Sequence, residues 1–253
     1  MRPSAAEVAR TLARGRLKGA LRFADGIPVT GFHHATDRTG RPLLLAAPGD
    51  EITGRLRESG AAPDVSLTVD DVPPLRGAPS LGRIRLTGTL SRVPETATRA
   101  AVLEYARSNP IPELFDVGDR ITMHRIELRR VSLNRPGSTE EIDPLDYAAA
   151  EPDPLHECEG DLLQDLAHHH SAQLDHHLRH LLEAKGAAYA GVPRAMRLDR
   201  YGFVIDLGDD TAGPAHGRWL RLEFARPVCS QHDLAHLMHP ILFHHHTADG
   251  CEH

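Results

Sequence analysis

The chain has 253 residues, 40% hydrophobic and 25% charged, with 21 Gly and 19 Pro; this is long enough for two cores and excludes a disordered chain. A formal net charge of −6 offers no general basic surface for nucleic acid, and no apolar run approaches the roughly 18 residues of a membrane-spanning helix. Aromatic residues make up only 4%, so the core must rest on Leu, Val, Ile and Ala.

Ser4-Ala5-Ala6-Glu7 is a capping box and predicts a helix to about Ala13, broken at Gly15. Lys18 to Phe23 alternates as a half-buried strand, Gly26-Ile27-Pro28 turns the chain, and Val29 to Ala35 reads as its hairpin partner. Arg38-Thr39-Gly40 makes a further turn before the buried strand Pro42 to Ala47, and Asp50 can cap a brief helix through Glu58. Asp64 to Val69 alternates as a strand, Pro73, Pro74 and Pro79 mark a loop, and Gly82 to Leu90 is a long strand. Pro94 starts a helix with Glu95 in its first turn and Ala97, Ala101, Leu103 and Tyr105 along it, and Arg120 to Leu133 is the last long strand. Six or so short strands with helices between them, and no regular β-α-β alternation, predict a small barrel over residues 1–135.

Residues 136–156, rich in Pro, Asp and Ala, read as a linker with a short helical turn at Asp146 to Ala150. A long helix from Glu157 to about Lys185, ended by Gly186, carries the stripe Leu162, Leu163, Leu166, Leu174, Leu178, Leu181 and Leu182. Strands over Arg194 to Arg200, Gly202 to Leu207 and Arg218 to Phe224 follow, and a helix from Ser230 or Asp233 to about Phe243 completes a small α/β unit over residues 157–246. Residues 247–253 are a tail. Cys158, Cys229 and Cys251 show no C-x-x-C spacing, which suits a reducing compartment, and the charges scattered through residues 1–16 give no secretory leader. A cytoplasmic location is the expectation.

Of 18 histidines, 15 lie at or after His156. On the long helix His169, His176 and His180 share a face, and the i, i+4 pair His176 and His180 can chelate one divalent ion, with Asp165 or Asp175 adding a carboxylate or orienting a ring. The same pattern also describes a solvated helix face. His170 falls near the apolar stripe. His232, His236 and His239 share a face of the last helix, followed by His244-His245-His246.

The order of motifs resembles a known pair of domains. Gly26-Ile27-Pro28, Leu45-Ala46-Ala47-Pro48 and Arg83 to Leu90 before the Pro-initiated helix resemble the pyridoxamine-phosphate-oxidase-like, FMN-binding-type split barrel. Glu159-Gly160-Asp161-Leu162-Leu163 leading to His170, then Leu198 to Phe203 and Leu222 to Pro227, are similar to the C-terminal domain of HugZ-type haem-utilisation proteins, shared with plant glutamyl-tRNA-reductase-binding proteins. The fold implied is α+β, a split β-barrel followed by a small α/β domain of helix, three strands and helix. The resemblance further implies a homodimer that binds haem in haem or iron utilisation or homeostasis; some relatives degrade haem as oxygenases, others only bind it or a protein partner. Under it His170 is the family's singled-out histidine, with Asp165 where relatives carry a second one, and His239 and His245 stand for a C-terminal iron ligand. Arg83, Arg85 and Arg125 could pair with haem propionates, because a guanidinium binds a carboxylate through two parallel hydrogen bonds. FMN is less favoured, since Arg55-Leu56-Arg57 stands where flavin-binding relatives have a His-Thr-Arg-Asn type run. The alternatives are a non-catalytic regulatory or partner-binding protein, and a divalent-metal module on the His-rich helix.

Overall fold

A computed structural model describes residues 1–59, 62–208 and 219–243. It divides into two compact units, Ser4–Val72 with Ser80–Asp153, and Met1–Pro3 with Pro73–Pro79 and Pro154–His253. The fold is α+β, a split β-barrel followed by a small α/β unit.

The first unit begins with α1 (Ala5–Ala13), and its capping box is formed: the Glu7 amide donates to Ser4 Oγ (3.2 Å) and the Ser4 amide to Glu7 Oε2 (2.8 Å). Its strands are β1 (Gly19–Arg22), β2 (Pro28–Val29), β3 (His34–Thr36), β4 (Pro42–Ala46), β5 (Asp64–Asp70), β6 (Arg83–Arg92), β7 (Thr122–Arg135) and β8 (Ser138–Ile142), with α2 (Glu51–Ser59), α3 (Glu95–Ser108) and α4 (Pro144–Ala149) between them. The antiparallel sheet runs β2-β1-β5-β6-β7-β4-β3, and β8 pairs with β7. β7 is what splits it. One edge of β7 follows β6, while the other pairs first with β4 at Thr122 to Arg125 and then with β8 at Val131 to Arg135. A bulge between Thr87 and Gly88 bends β6 along this seam, and a Cβ at Gly88 would lie 2.1 Å from the Glu127 carbonyl oxygen.

The core is aliphatic, as the scarcity of aromatics requires: Leu12 and Ala9 of α1 meet Leu21, Leu67, Ile84, Leu86, Leu90 and Ile126 of the sheet. Val29 to Ala35 is not one hairpin partner. Only β2 pairs with β1, whereas β3 pairs with β4, because Gly31 takes a left-handed conformation (φ 80°) that turns the chain between them. Leu103 of α3 is exposed, and Ala101 and Tyr105 carry that helix's buried face. Residues 136–156, expected as a linker, hold β8 and α4, both within the barrel unit. Four of the five β8 residues are exposed, so no alternation announces the strand. Tyr147 of α4 is fully buried, donates its hydroxyl to the Gly40 carbonyl (2.9 Å), and lies under the Arg10 guanidinium.

The second unit holds α5 (Glu159–His169), α6 (Ser171–Glu183), β9 (Arg194–Asp199), β10 (Gly202–Asp206), β11 (Trp219–Glu223) and α7 (Gln231–Phe243), with the antiparallel order β11-β10-β9. The single long helix read from the sequence is two helices. His170 leaves the helical region (φ −132°, ψ 15°), where three consecutive histidines of weak helix propensity meet Ser171. Leu163, Leu166, Leu174 and Leu178 still converge on one core with Phe203, Ile205, Phe224, Val228 and Leu234, and Phe203 meets Phe224 edge to face (5.3 Å). No helix among the described residues is long and apolar enough to cross a membrane.

His34 on β3 couples the barrel to pH. Burial, with a smaller contribution from His33, pushes its imidazole down from 6.5 to about 4, so it is neutral in the fold. The unfolded chain takes up a proton below about pH 6.5 that the fold refuses until about pH 4. Stability is therefore complete above pH 6.5 and falls as the pH drops toward 4, by about 3 kcal/mol from this residue. His124 of β7 is shifted down in the same direction, chiefly by burial, and adds to the slope. Urea midpoints followed by far-ultraviolet circular dichroism at pH 7.5 and 4.5 should differ clearly less for His34→Leu than for the natural chain.

Candidate functional site

In the second unit the placement of α5 follows from one buried ion pair. Arg197 of β9 donates from Nε to Glu159 Oε1 (2.7 Å) and from Nη2 to Oε2 (3.0 Å), and the Leu198 amide donates to Oε1 (2.8 Å). Both side chains are almost wholly buried, and Arg197 Nη1 donates further to the Pro79 carbonyl (3.0 Å). The bidentate geometry and the extra donors satisfy groups that would otherwise be costly to bury. Glu159, the first residue of the Glu159-Gly160-Asp161 motif, thus holds the helix to the sheet.

That pairing leaves a cleft of about 720 Å³ beside the start of β9. Its walls are apolar: Leu163 and Leu166 of α5, Leu174 of α6, Pro193 and Ala195, with Pro74 and Leu75 from the Pro-rich loop. The polar groups on the lining are Asp161, Gln164, His168, Ser171 and Arg194, all exposed to solvent. The volume lies within the range of ligand pockets, and apolar walls with a few polar groups are their usual composition. An imidazole and a guanidinium on one apolar cleft can meet a flat hydrophobic ligand that carries a metal or a carboxylate.

The histidines singled out from sequence fall elsewhere in this unit. His170, half-buried at the α5–α6 junction, stands beside His169 (ring centroids 6.4 Å apart) and does not line the cleft; His168 does. Asp165 orients His169 (Oδ1 to Nδ1, 3.1 Å), both exposed. His176 and His180 are exposed on α6. Asp175 is engaged by Arg179 (2.9 and 3.1 Å) and by the Tyr189 hydroxyl (2.8 Å), and the Arg179 hydrogen bond holds its carboxyl below the usual range. Among the described residues no group of three or more His, Cys, Asp or Glu side chains is arranged to hold a metal. His239 is exposed on α7, and His245 lies outside the described residues.

In the barrel, Arg83 and Arg85 line a smaller cleft of about 390 Å³ together with Arg22, Phe23 and Thr68. Arg83 is paired with Asp70 (2.5 Å), Arg22 donates to Thr68 Oγ1 (3.2 Å), and Arg85 makes no ion pair among the described residues. Arg125 does not join them. Arg85 pairs with Ser132 on β7, seven residues from Arg125, which is roughly 20 Å along a strand. Arg125 instead forms an ion pair with the buried Asp37 (3.5 Å), whose carboxylate also accepts from Arg41 Nε (2.9 Å). Arg55 of α2 is likewise taken, by Asp25 and Glu51. Sequence reasoning missed His168 and Arg194, because the cleft exists only where α5 meets β9. The one local signal was Pro193 beside Arg194.

No family model and no curated protein matches the sequence. Among solved structures, a haem-binding protein from Mycobacterium smegmatis is similar over 96% of this chain and 97% of its own, with 22% identity and a TM-score of 0.69. A protein of unknown function from Agrobacterium tumefaciens aligns over 92% of this chain and 93% of its own (19% identity, TM-score 0.43), and a FAD-binding protein from M. smegmatis over 56% and 98% (14%, 0.38). The first similarity, spanning both units, shows a shared fold, a split β-barrel with an additional α/β unit.

The Glu159–Arg197 pair yields a prediction. Glu159→Ala leaves a buried guanidinium without its carboxylate and should destabilise the second unit by about 3–5 kcal/mol. Trp219, the single tryptophan, reports that unit's urea transition by fluorescence. Glu159→Leu combined with Arg197→Met should cost less than Glu159→Ala alone, since no charge is then stranded.

Proposed function

We propose that this chain binds haem in the cleft between α5, α6 and β9, as part of haem or iron utilisation. The observation that carries the reading is an apolar cleft of about 720 Å³ that bears both an imidazole, His168, and a guanidinium, Arg194. Imidazole is a common haem-iron ligand, guanidinium pairs with propionate, and the leucine and proline walls suit the macrocycle. The haem-binding protein from M. smegmatis, alike over the whole length, supports the choice of ligand. His168 rather than His170 would hold the iron, and Arg194 would hold a propionate. Bound haem would supply a redox-active iron. The chain contributes ligation, orientation and an apolar surround that limits water. A HugZ-type second domain, a homodimer and a cytoplasmic location belong to the same proposal.

Haemin titration of the purified chain tests it. A saturable Soret shift is expected, weakened at least tenfold by His168→Ala with a changed band position, and weakened by Arg194→Ala with the band unchanged. Ala167→Trp, which fills the cleft, should abolish the shift. Absence of any shift in the natural chain overturns haem binding. Loss of affinity in Arg83→Ala with Arg85→Ala, and not in the His168 and Arg194 variants, moves the ligand to the barrel's arginine cleft and overturns the assignment of the site.

A further inference from the structure

α7 holds a feature that the haem reading leaves unused. His232 and His236 stand one turn apart on its exposed face, with their Nε2 atoms 3.1 Å from each other. The rings are perpendicular (89°) with centroids 4.5 Å apart. Two imidazole nitrogens bound to one ion at 2.0–2.1 Å lie about 2.9 Å apart at the right angle of a tetragonal ion and about 3.3 Å apart at the tetrahedral angle, so the pair already has the spacing of a chelate. The neighbouring carboxylate is committed elsewhere. Asp233 accepts from Arg226 (2.5 and 2.8 Å) and from the Cys229 amide (3.0 Å), which holds its carboxyl down at about 2. Asp233 therefore neutralises Arg226, the nearby cation that would otherwise repel an ion, and the two imidazoles remain the ligands.

We propose that His232 and His236 form a solvent-facing, two-imidazole site for a borderline divalent transition-metal ion, with water completing the coordination. Imidazole ligation favours Cu²⁺ over Ni²⁺ and Zn²⁺ and disfavours Mg²⁺ and Ca²⁺. The site is separate from the haem cleft, because neither residue lines it. It also differs from the His176 and His180 pair on α6, whose neighbour Asp175 is held by Arg179 and Tyr189. Occupancy would pin one turn of α7 and so couple metal to the stability of the second unit.

The test is a titration of the full chain with CuCl₂, read by calorimetry and by the electron paramagnetic resonance of substoichiometric Cu²⁺. To remove competition, His244, His245 and His246 are changed to Ala in the reference protein. That reference should bind one Cu²⁺ with superhyperfine splitting from two nitrogens. Adding His232→Ala and His236→Ala should lower the affinity at least tenfold and remove the two-nitrogen pattern. Adding His176→Ala and His180→Ala instead should leave both unchanged. Circular dichroism serves as the control for folding, which two exposed side chains should not disturb. Unchanged affinity and spectrum in the His232 and His236 variant would overturn the proposal, as would their loss in the His176 and His180 variant.

Discussion

The second unit depends on taking a carboxylate and a guanidinium out of water together. Neither Glu159 nor Arg197 could be buried alone at tolerable cost, and the pair is accommodated only because four hydrogen bonds, from Arg197 Nε and Nη2, the Leu198 amide and Arg197 to the Pro79 carbonyl, leave little unsatisfied. Such a pair adds less to net stability than its contacts suggest, but it tolerates few alternative arrangements. It sets where the first turn of α5 meets β9, and the cleft at that junction inherits its shape. The Pro-rich loop at residues 73–79, which enters the same unit from between two barrel strands, is held by the same guanidinium.

The barrel solves a different problem. An eight-stranded antiparallel sheet with few aromatic residues must fill its interior with Leu, Ile and Val, and α1 covers part of it with small and aliphatic side chains. Tyr147 enters this core with its hydroxyl on the Gly40 carbonyl, and Arg10 with its guanidinium on the Arg38 and Ala150 carbonyls. His34 is the exception in charge terms, since its burial keeps it neutral at physiological pH. The outward basic residues divide by their neighbours. Arg125 is absorbed into the Asp37 network, while Arg83 and Arg85 share a cleft with Arg22. Identical spacing along strands thus hides quite different electrostatic settings.

Histidine abundance does not by itself mark the apolar cleft. Most of the second unit's described histidines lie on exposed or half-exposed helix faces, and the one lining the apolar cleft is His168, two residues before His170. A straight helix would have put His170 on the leucine stripe. The break at that residue redirects it and leaves His168 at the end of α5.

Sequence by itself determined the local elements with strong chemical signals: the Ser4–Glu7 capping box, the Asp50 cap of α2, the Pro94 start of α3, the long alternating β6, and the three strands and closing helix of the second unit. It also determined the split-barrel class through the order of its motifs. These features depend on residues close in the chain, where propensity and periodicity act directly. Tertiary structure alone decided that β8 exists, that the long helix breaks at His170, that Glu159 meets Arg197 across 38 residues, and that Arg125 stands apart from Arg83 and Arg85. Each of these rests on a partner distant in sequence. Pairing across a sheet, burial of a charge and the opening of a cleft are properties of two segments at once, and no window of one segment contains them.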